Sequence, residues 1–281
     1  MYLVYGNDIF AHEAIYSIAS AFSFDKAKSD IRFIVYTDRP GLFSQIDVEI
    51  VSLDAQQMAE WIGPAGYHHR MKMLAFSDAL RRFEGCVAFV DTDTYFLKSP
   101  LLLFARIAPG RSVLHLPEGR LSEIDEPGYT ALDDIMRSGL PADGDTKPIP
   151  SKRAEIMWNS GVIGLHASDQ DGILRTIALM DRIKTLPGSD VIKQLEQFAL
   201  GYVLSRETEI RCCDDVVFHY WYWDLKDPFR EMLPAIVRRR EPWTTVRRYR
   251  PRTSPVRKAK MLMRILLRRL GFTVPGFRGS I

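Results

Sequence analysis

Short unbroken apolar runs alternate along this chain with longer stretches in which apolar residues recur at helical spacing. Met1 to Tyr5 form such a run, closed by Gly6 and Asn7, which predicts a buried strand and a turn. Ala11 to Phe22 then reads as a helix. The pattern repeats: Ile31 to Asp38 and Val48 to Leu53 read as strands, and His68 to Phe83 as a helix feeding a strand over Cys86 to Val90. Further on, Met157 to His166 reads as a strand, Ser189 to Ser205 as a helix and Cys213 to Trp223 as a last strand. Strands alternating with helices predict an α/β fold, a mostly parallel sheet with helices on both faces. Pro117 to Gly128 and Gly139 to Ser151, rich in Pro, Gly and acidic residues, read as loops over one face that line an acceptor site. The globular body is expected over 1–233, with an extension over 234–281.

Composition adds bounds. A chain of 281 residues with 46% apolar content can bury a full core, which excludes disorder throughout. No run of eighteen apolar residues occurs, and Asp8 and Glu13 precede the first basic residue, Lys26, unlike a signal peptide, so a cytoplasmic protein is expected. Cys86, Cys212 and Cys213 suit neither a disulfide framework nor a zinc site and read as reduced core residues.

The net charge of +3 conceals an asymmetry. From Ile236 to Ile281 there are 14 Lys/Arg against one Glu, leaving 24 against 34 before it, so the body is about −10 and the tail +13. Leu262, Leu266 and Leu270 recur at i+4 beside Met263 and Leu267, with Lys260, Arg264 and Arg268 as a parallel basic stripe. This predicts a basic amphipathic helix that lies on an anionic membrane surface, the inner face for a cytoplasmic protein. Nucleic acid could meet the same charges, but no nucleic-acid motif is present and none is expected as partner.

The chemistry concentrates where strands end, because ligands of open α/β sheets sit beyond the strands' carboxyl ends. Those positions are Tyr5, Gly6, Asn7, Asp38 and Asp91 to Asp93. In Cys86 to Pro100, an apolar strand runs into two carboxylates two residues apart, and strand alternation would put Asp91 and Asp93 on one side with Thr92 turned away. Two hard oxygen donors suit Mg²⁺ or Mn²⁺, which take their remaining ligands from phosphate and water.

Five stretches in order resemble the GT-A class of nucleotide-sugar glycosyltransferases, particularly its glycogenin-like and galactosyltransferase-like members and related bacterial enzymes. They are Val4 to Asn7, Arg70 to Leu80, the Asp-x-Asp with the Lys-Ser-Pro after it, Trp158 to Leu165 and Val216 to Trp221. The resemblance implies a single GT-A, Rossmann-like domain binding a nucleoside-diphosphate sugar, with UDP favoured. It implies transfer, leaning toward retention of configuration, to a hydroxyl of a saccharide or lipid-linked acceptor. Tyr5, Gly6 and Asn7 would hold base and ribose, Arg70 and Lys72 would reach diphosphate or sugar, and Asn159, Ser160 and Gly161 would line the donor-sugar pocket, with Asp38 and Thr92 counted among the donor contacts. His219 would complete the metal set of Asp91 and Asp93, and Glu196 and Gln197 would lie beside the reacting sugar. The usual Gly-x-x-Lys-Pro does not follow His219; Tyr220, Trp221, Tyr222 and Trp223 come instead, and Lys226 is the substitute for the missing lysine. No catalytic base is singled out among Glu118, Asp125 and Asp134.

Two rival readings share these residues. The string from Phe89 to Phe96 also fits a haloacid-dehalogenase-type phosphatase, with Asp91 as nucleophile, Asp93 as acid/base and Asp214 and Asp215 imitating a later acidic pair. A sugar-nucleotide-binding protein without turnover would keep the same fold.

Overall fold

The computed structural model describes residues 1–24, 30–124, 126–137, 156–221, 223–238, 244, 246 and 249. The amphipathic stripe expected over 256–270 lies outside them, as does Asp125.

The fold is mixed α/β, as the alternation predicts. Strands β1 (Tyr2–Val4), β2 (Ile34–Thr37) and β3 (Glu49–Ser52) pair in parallel in that order. A second sheet runs β10 (Glu209–Cys212), β6 (Arg111–Leu114), β9 (Val162–His166), β4 (Cys86–Val90), with β9 antiparallel to both neighbours and β10 parallel to β6. Met1 joins the two: its nitrogen donates to the Ala88 carbonyl at 2.6 Å, and Val90 N–H donates to the Met1 carbonyl at 3.0 Å. That is the ladder of a parallel pair, so one sheet runs β3-β2-β1-β4-β9-β6-β10 with β9 alone reversed.

Both faces are covered. Ala88 and Val90 of β4 enter one apolar core with helix α1 (Asp8–Phe22), while Val87 and Phe89 enter the other with α3 (His69–Arg82), α6 (Asp171–Lys184) and α7 (Leu195–Glu207). Strand alternation thus divides one apolar run between two layers of helices. Asn7 caps α1, its Oδ1 accepting Ile9 N–H at 3.0 Å. Short α2 (Ala55–Ile62), α4 (Leu101–Phe104) and α5 (Pro127–Arg137) fill connections. Among the described residues no helix is long and apolar enough to cross a membrane.

Several boundaries differ from expectation. Met157 to His166 is two strands, β8 (Ile156–Trp158) and β9, because Asn159 to Gly161 turn between sheets. Part of the loop expected from Pro117 is β7 (Pro117–Arg120), paired with β8. The last strand shrinks to β11 (Val217–His219), antiparallel to β5 (Thr94–Phe96), and Trp223 already opens α8 (Trp223–Val237). The expected boundary at 233 therefore cuts a helix. Leu233, Ile236, Val237 and Val246 are buried in the core beside α1, and Tyr16 donates its hydroxyl to the Tyr249 carbonyl at 2.8 Å. The packed body reaches at least that far into the segment expected as a tail.

Candidate functional site

Three chain segments meet beyond the carboxyl end of β4. Asp91 N–H donates to the Gly161 carbonyl at 2.8 Å, tying the end of β4 to the start of β9. The chain turns through Thr92 and Asp93 into β5, whose partner β11 sets His219 opposite Thr94, and Tyr220 N–H donates to the Asp93 carbonyl at 2.9 Å. Asp91 and Asp93 therefore face one site because of this turn between β4 and β5, not because of strand alternation. Thr92 points elsewhere, as strand alternation predicts but against its place among the donor contacts, its hydroxyl donating to Glu13 Oε2 at 3.2 Å.

Asp91, Asp93 and His219 form a cluster able to hold a metal ion, with one ligand atom from each lying within 4.8 Å of the others. The orientation of His219 is specified from behind. Asn159 Nδ2 donates to Glu118 Oε1 at 2.8 Å, which leaves Asn159 Oδ1 to accept from His219 Nδ1 at 2.9 Å and from Gly161 N–H at 3.0 Å. Nδ1 thereby carries a proton, and Nε2 faces Asp93 Oδ1 at 3.1 Å, a hydrogen bond that takes a second ring proton, and Asp91 Oδ2 at 3.9 Å; to serve as a ligand Nε2 would give that proton up. This is the arrangement of an imidazole prepared as a ligand, its far nitrogen held by an outer acceptor. Gly161 is required by contact: a Cβ there would sit 2.1 Å from His219 Nδ1. Two carboxylates and one imidazole with a fixed tautomer fit a divalent cation.

Two ammonium groups already answer the carboxylates. Lys72 Nζ lies 2.9 Å from Asp91 Oδ1 and donates to the Ser160 carbonyl at 2.7 Å and to its hydroxyl at 3.1 Å. Lys226 Nζ, from α8, donates to Asp93 Oδ2 at 2.6 Å. Burial alone would raise the Asp93 carboxyl, but the charges and hydrogen bonds of His219 and Lys226 hold it well below the usual carboxylate range.

Around the cluster, Glu196 is buried: its Oε2 accepts the Tyr67 hydroxyl at 2.6 Å and its Oε1 faces Ser160 Oγ at 3.4 Å. Gln197 is buried beside it. His115, at the end of β6, packs its ring against His219 and Trp221. Burial, followed by the charge of His219, pulls its pKa down to about 3, so it is neutral, and its Nδ1 has no hydrogen-bond partner among the described residues. Arg230 clamps the buried Glu13 with bonds of 2.8 and 3.1 Å behind Thr92.

Tyr5, Gly6, Asn7 and Asp38 gather at a separate point over β1 and β2. Tyr5 stacks on His68, Gly6 N–H reaches Asp38 Oδ2 at 3.4 Å, and Asp38 Oδ1 is buried with no hydrogen-bond partner among the described residues. Arg70 goes elsewhere, against expectation. Two residues before Lys72, it occupies another helix face, where it grips Asp181 at 2.7 and 2.9 Å and the carbonyls of Glu60 and Trp61. Asp134 is exposed, and Asp215 is held by Arg106 and Lys98 rather than facing the cluster. A surface hollow of about 420 Å³ lined by Arg106, Arg111, Arg211 and Cys212 contains none of the cluster residues.

His115, Tyr67, Glu13 and Arg230 were not legible in sequence. His115 alone carried a signal, as a polar residue directly after the apolar pair Val113 and Leu114 at the end of β6. No protein-family model matches the chain, and no curated protein is significantly similar to it.

Proposed function

We propose that this chain is a glycosyltransferase that binds a nucleoside-diphosphate sugar, of the UDP class, with a divalent cation and passes the sugar to a hydroxyl acceptor. The observation that carries the reading is the Asp91, Asp93 and His219 cluster at the ligand-accepting edge of the sheet, with the His219 tautomer set by Asn159. The carboxylates suit Mn²⁺ or Mg²⁺, and the imidazole tilts the choice toward Mn²⁺. When bound, such an ion neutralises the charge that develops on a departing diphosphate. The protein's share is positioning: Lys72 fixes Asp91, Asn159 fixes His219, and buried Glu196 offers a carboxylate next to Ser160. Asp38 Oδ1 supports the nucleoside end, since a buried acceptor lacking a donor suits a base N–H or a ribose hydroxyl.

The phosphatase reading fares worse. Asp93 is held ionised by His219 and Lys226 and has no proton to deliver, and Asp215 is committed to Arg106 and Lys98. The basic extension supports an acceptor at an anionic membrane, which flotation of the full chain with phosphatidylserine vesicles at low and high salt would test.

The deciding experiment is binding of a panel of nucleotide sugars to the full chain, with Mn²⁺ and with chelator. Cation-dependent binding of a uridine sugar is the expected result. Failure to bind any donor, together with hydrolysis of a simple phosphate ester, would replace this reading with the phosphatase one.

A further inference from the structure

The two lysines at the cluster are held in different ways. Lys72 is buried on α3, and its ammonium meets Asp91, the Ser160 carbonyl and the Ser160 hydroxyl, an acceptor for each of its three protons. It is a fixed part of the wall. Lys226 is more open, with its side chain 22% exposed, and Asp93 is its one acceptor among the described residues. It stands in the first turns of α8, two residues before Pro228. Proline has no N–H to give the carbonyl four residues earlier, so this end of the helix is tied to the rest by one bond fewer.

Asp93 Oδ2 is thus taken by a mobile-stemmed ammonium in the place where a cation would draw on that carboxylate. A divalent ion and an ammonium on one carboxylate repel each other, a cost that Lys226, with Asp93 as its one acceptor among the described residues, can relieve by withdrawing and that the buried, triply bonded Lys72 cannot. We propose that Lys226 is a built-in competitor of the metal: it neutralises Asp93 when no cation is present and withdraws when one binds. Once displaced, the ammonium would leave Asp93 for a neighbourhood whose other carboxylate, Glu13, is already held by Arg230, and an incoming diphosphate would supply the missing anion. Lys226 then couples the two ligands. It weakens the cation when the nucleotide is absent and strengthens the nucleotide when the cation is present. Such coupling is reciprocal, so one residue sets the order in which the site fills. The diphosphate half of this inference rests on the glycosyltransferase reading; the competition half rests only on the cluster.

The test is Mn²⁺ binding to the full chain by calorimetry, first alone and then with saturating UDP, for the native protein, Lys226→Met and Lys226→Gln. Circular dichroism confirms folding, and two variants guard against one of them failing to fold. With UDP absent, both variants should bind Mn²⁺ about tenfold tighter than the native protein, a gain of about 1.4 kcal/mol. With Mn²⁺ saturating, they should bind UDP about tenfold more weakly. Unchanged or weaker Mn²⁺ binding without UDP overturns the competition. Tighter Mn²⁺ binding with no UDP binding to any of the three proteins upholds the competition while removing the nucleotide-sugar reading. Native protein and variants alike failing to bind Mn²⁺ overturns both.

Discussion

The ligand-side edge of the sheet has two ends built on opposite plans. Over β4, β9 and β11 the polar groups are buried or half-buried and answer one another: Glu118 holds Asn159, Asn159 holds His219, His219 and Lys226 hold Asp93, and Lys72 holds Asp91. Over β1 and β2, Gly6 and Asn7 are exposed, Tyr5 is half-buried, and one oxygen of Asp38 has no partner among the described residues. In the first end each ligand candidate is positioned by a neighbour, with His115 Nδ1 behind His219 left without a partner among the described residues. The second leaves one buried acceptor, Asp38 Oδ1, unanswered among the described residues, which is what the proposed nucleotide seat asks of it. A site that must hold a small ion in fixed geometry needs the first plan, and one that must admit and release a larger molecule needs the second.

Breaking the closed end at its centre should have the largest effect. Asp93→Asn removes a ligand and leaves Lys226 and His219 facing a neutral amide. Mn²⁺ affinity should fall by more than the roughly 10–100-fold that loss of an outer partner costs. The carboxylate is only 7% exposed and bonded at both oxygens, so stability should drop too, by about 1–3 kcal/mol in urea unfolding. Full Mn²⁺ binding by this variant would remove Asp93 from the metal set.

Next come the groups behind His219. Asn159→Ala frees the imidazole to adopt the other tautomer and should weaken Mn²⁺ by roughly 10–100-fold. Gly161→Ala should do similar damage by a steric route. Its methyl group would lie 2.1 Å from Nδ1 and 2.4 Å from Cε1, so the ring must move, at about 1–3 kcal/mol of stability. A crystal structure or histidine NMR spectrum of Gly161→Ala with His219 undisturbed, together with native Mn²⁺ affinity, would show that the ring's position does not matter to the cluster.

The same contrast explains what the sequence disclosed. The unbroken apolar runs and the helical spacing in Met1 to Val90 marked the strands and helices of that half, because each element buries its own apolar residues. The reversed strand β9 was not separated from β8: Met157 to His166 reads as one strand, although Asn159, Ser160 and Gly161 are turn-favouring residues that interrupt its apolar run. The body was expected to end at 233, where the basic extension begins, whereas α8 runs on to Val237 and Leu233, Ile236 and Val246 pack inside. At the site, Asp91, Asp93 and His219 were legible through their residue types and order. Their geometry was not, since it depends on β5 pairing with β11 across more than a hundred residues. Arg70 shows the reverse failure: a phosphate-seeking residue type on the right helix, but on a face that belongs to Asp181.

The smallest perturbation belongs to the open end, and it is the one that separates the two plans most sharply. Asp38→Ala deletes a carboxylate whose Oδ1 is buried without a partner and whose Oδ2 takes only a long bond, 3.4 Å, from Gly6 N–H among the described residues. Removing a buried acceptor that lacks its donor has little stability to lose, so the unfolding free energy from urea titration should change by no more than about 0.5 kcal/mol in either direction. Mn²⁺ binding without nucleotide should be native, because no bond links Asp38 to the cluster among the described residues. UDP binding with Mn²⁺ should weaken by about tenfold, the worth of one lost hydrogen bond to a charged group. Thus a closed-end variant loses stability and cation together, while this open-end variant loses the nucleotide alone. If Asp38→Ala instead lowered stability as Asp93→Asn does and left UDP binding intact, the carboxylate would be a structural brace for the β1 turn, and the open end would have to lie elsewhere on the sheet.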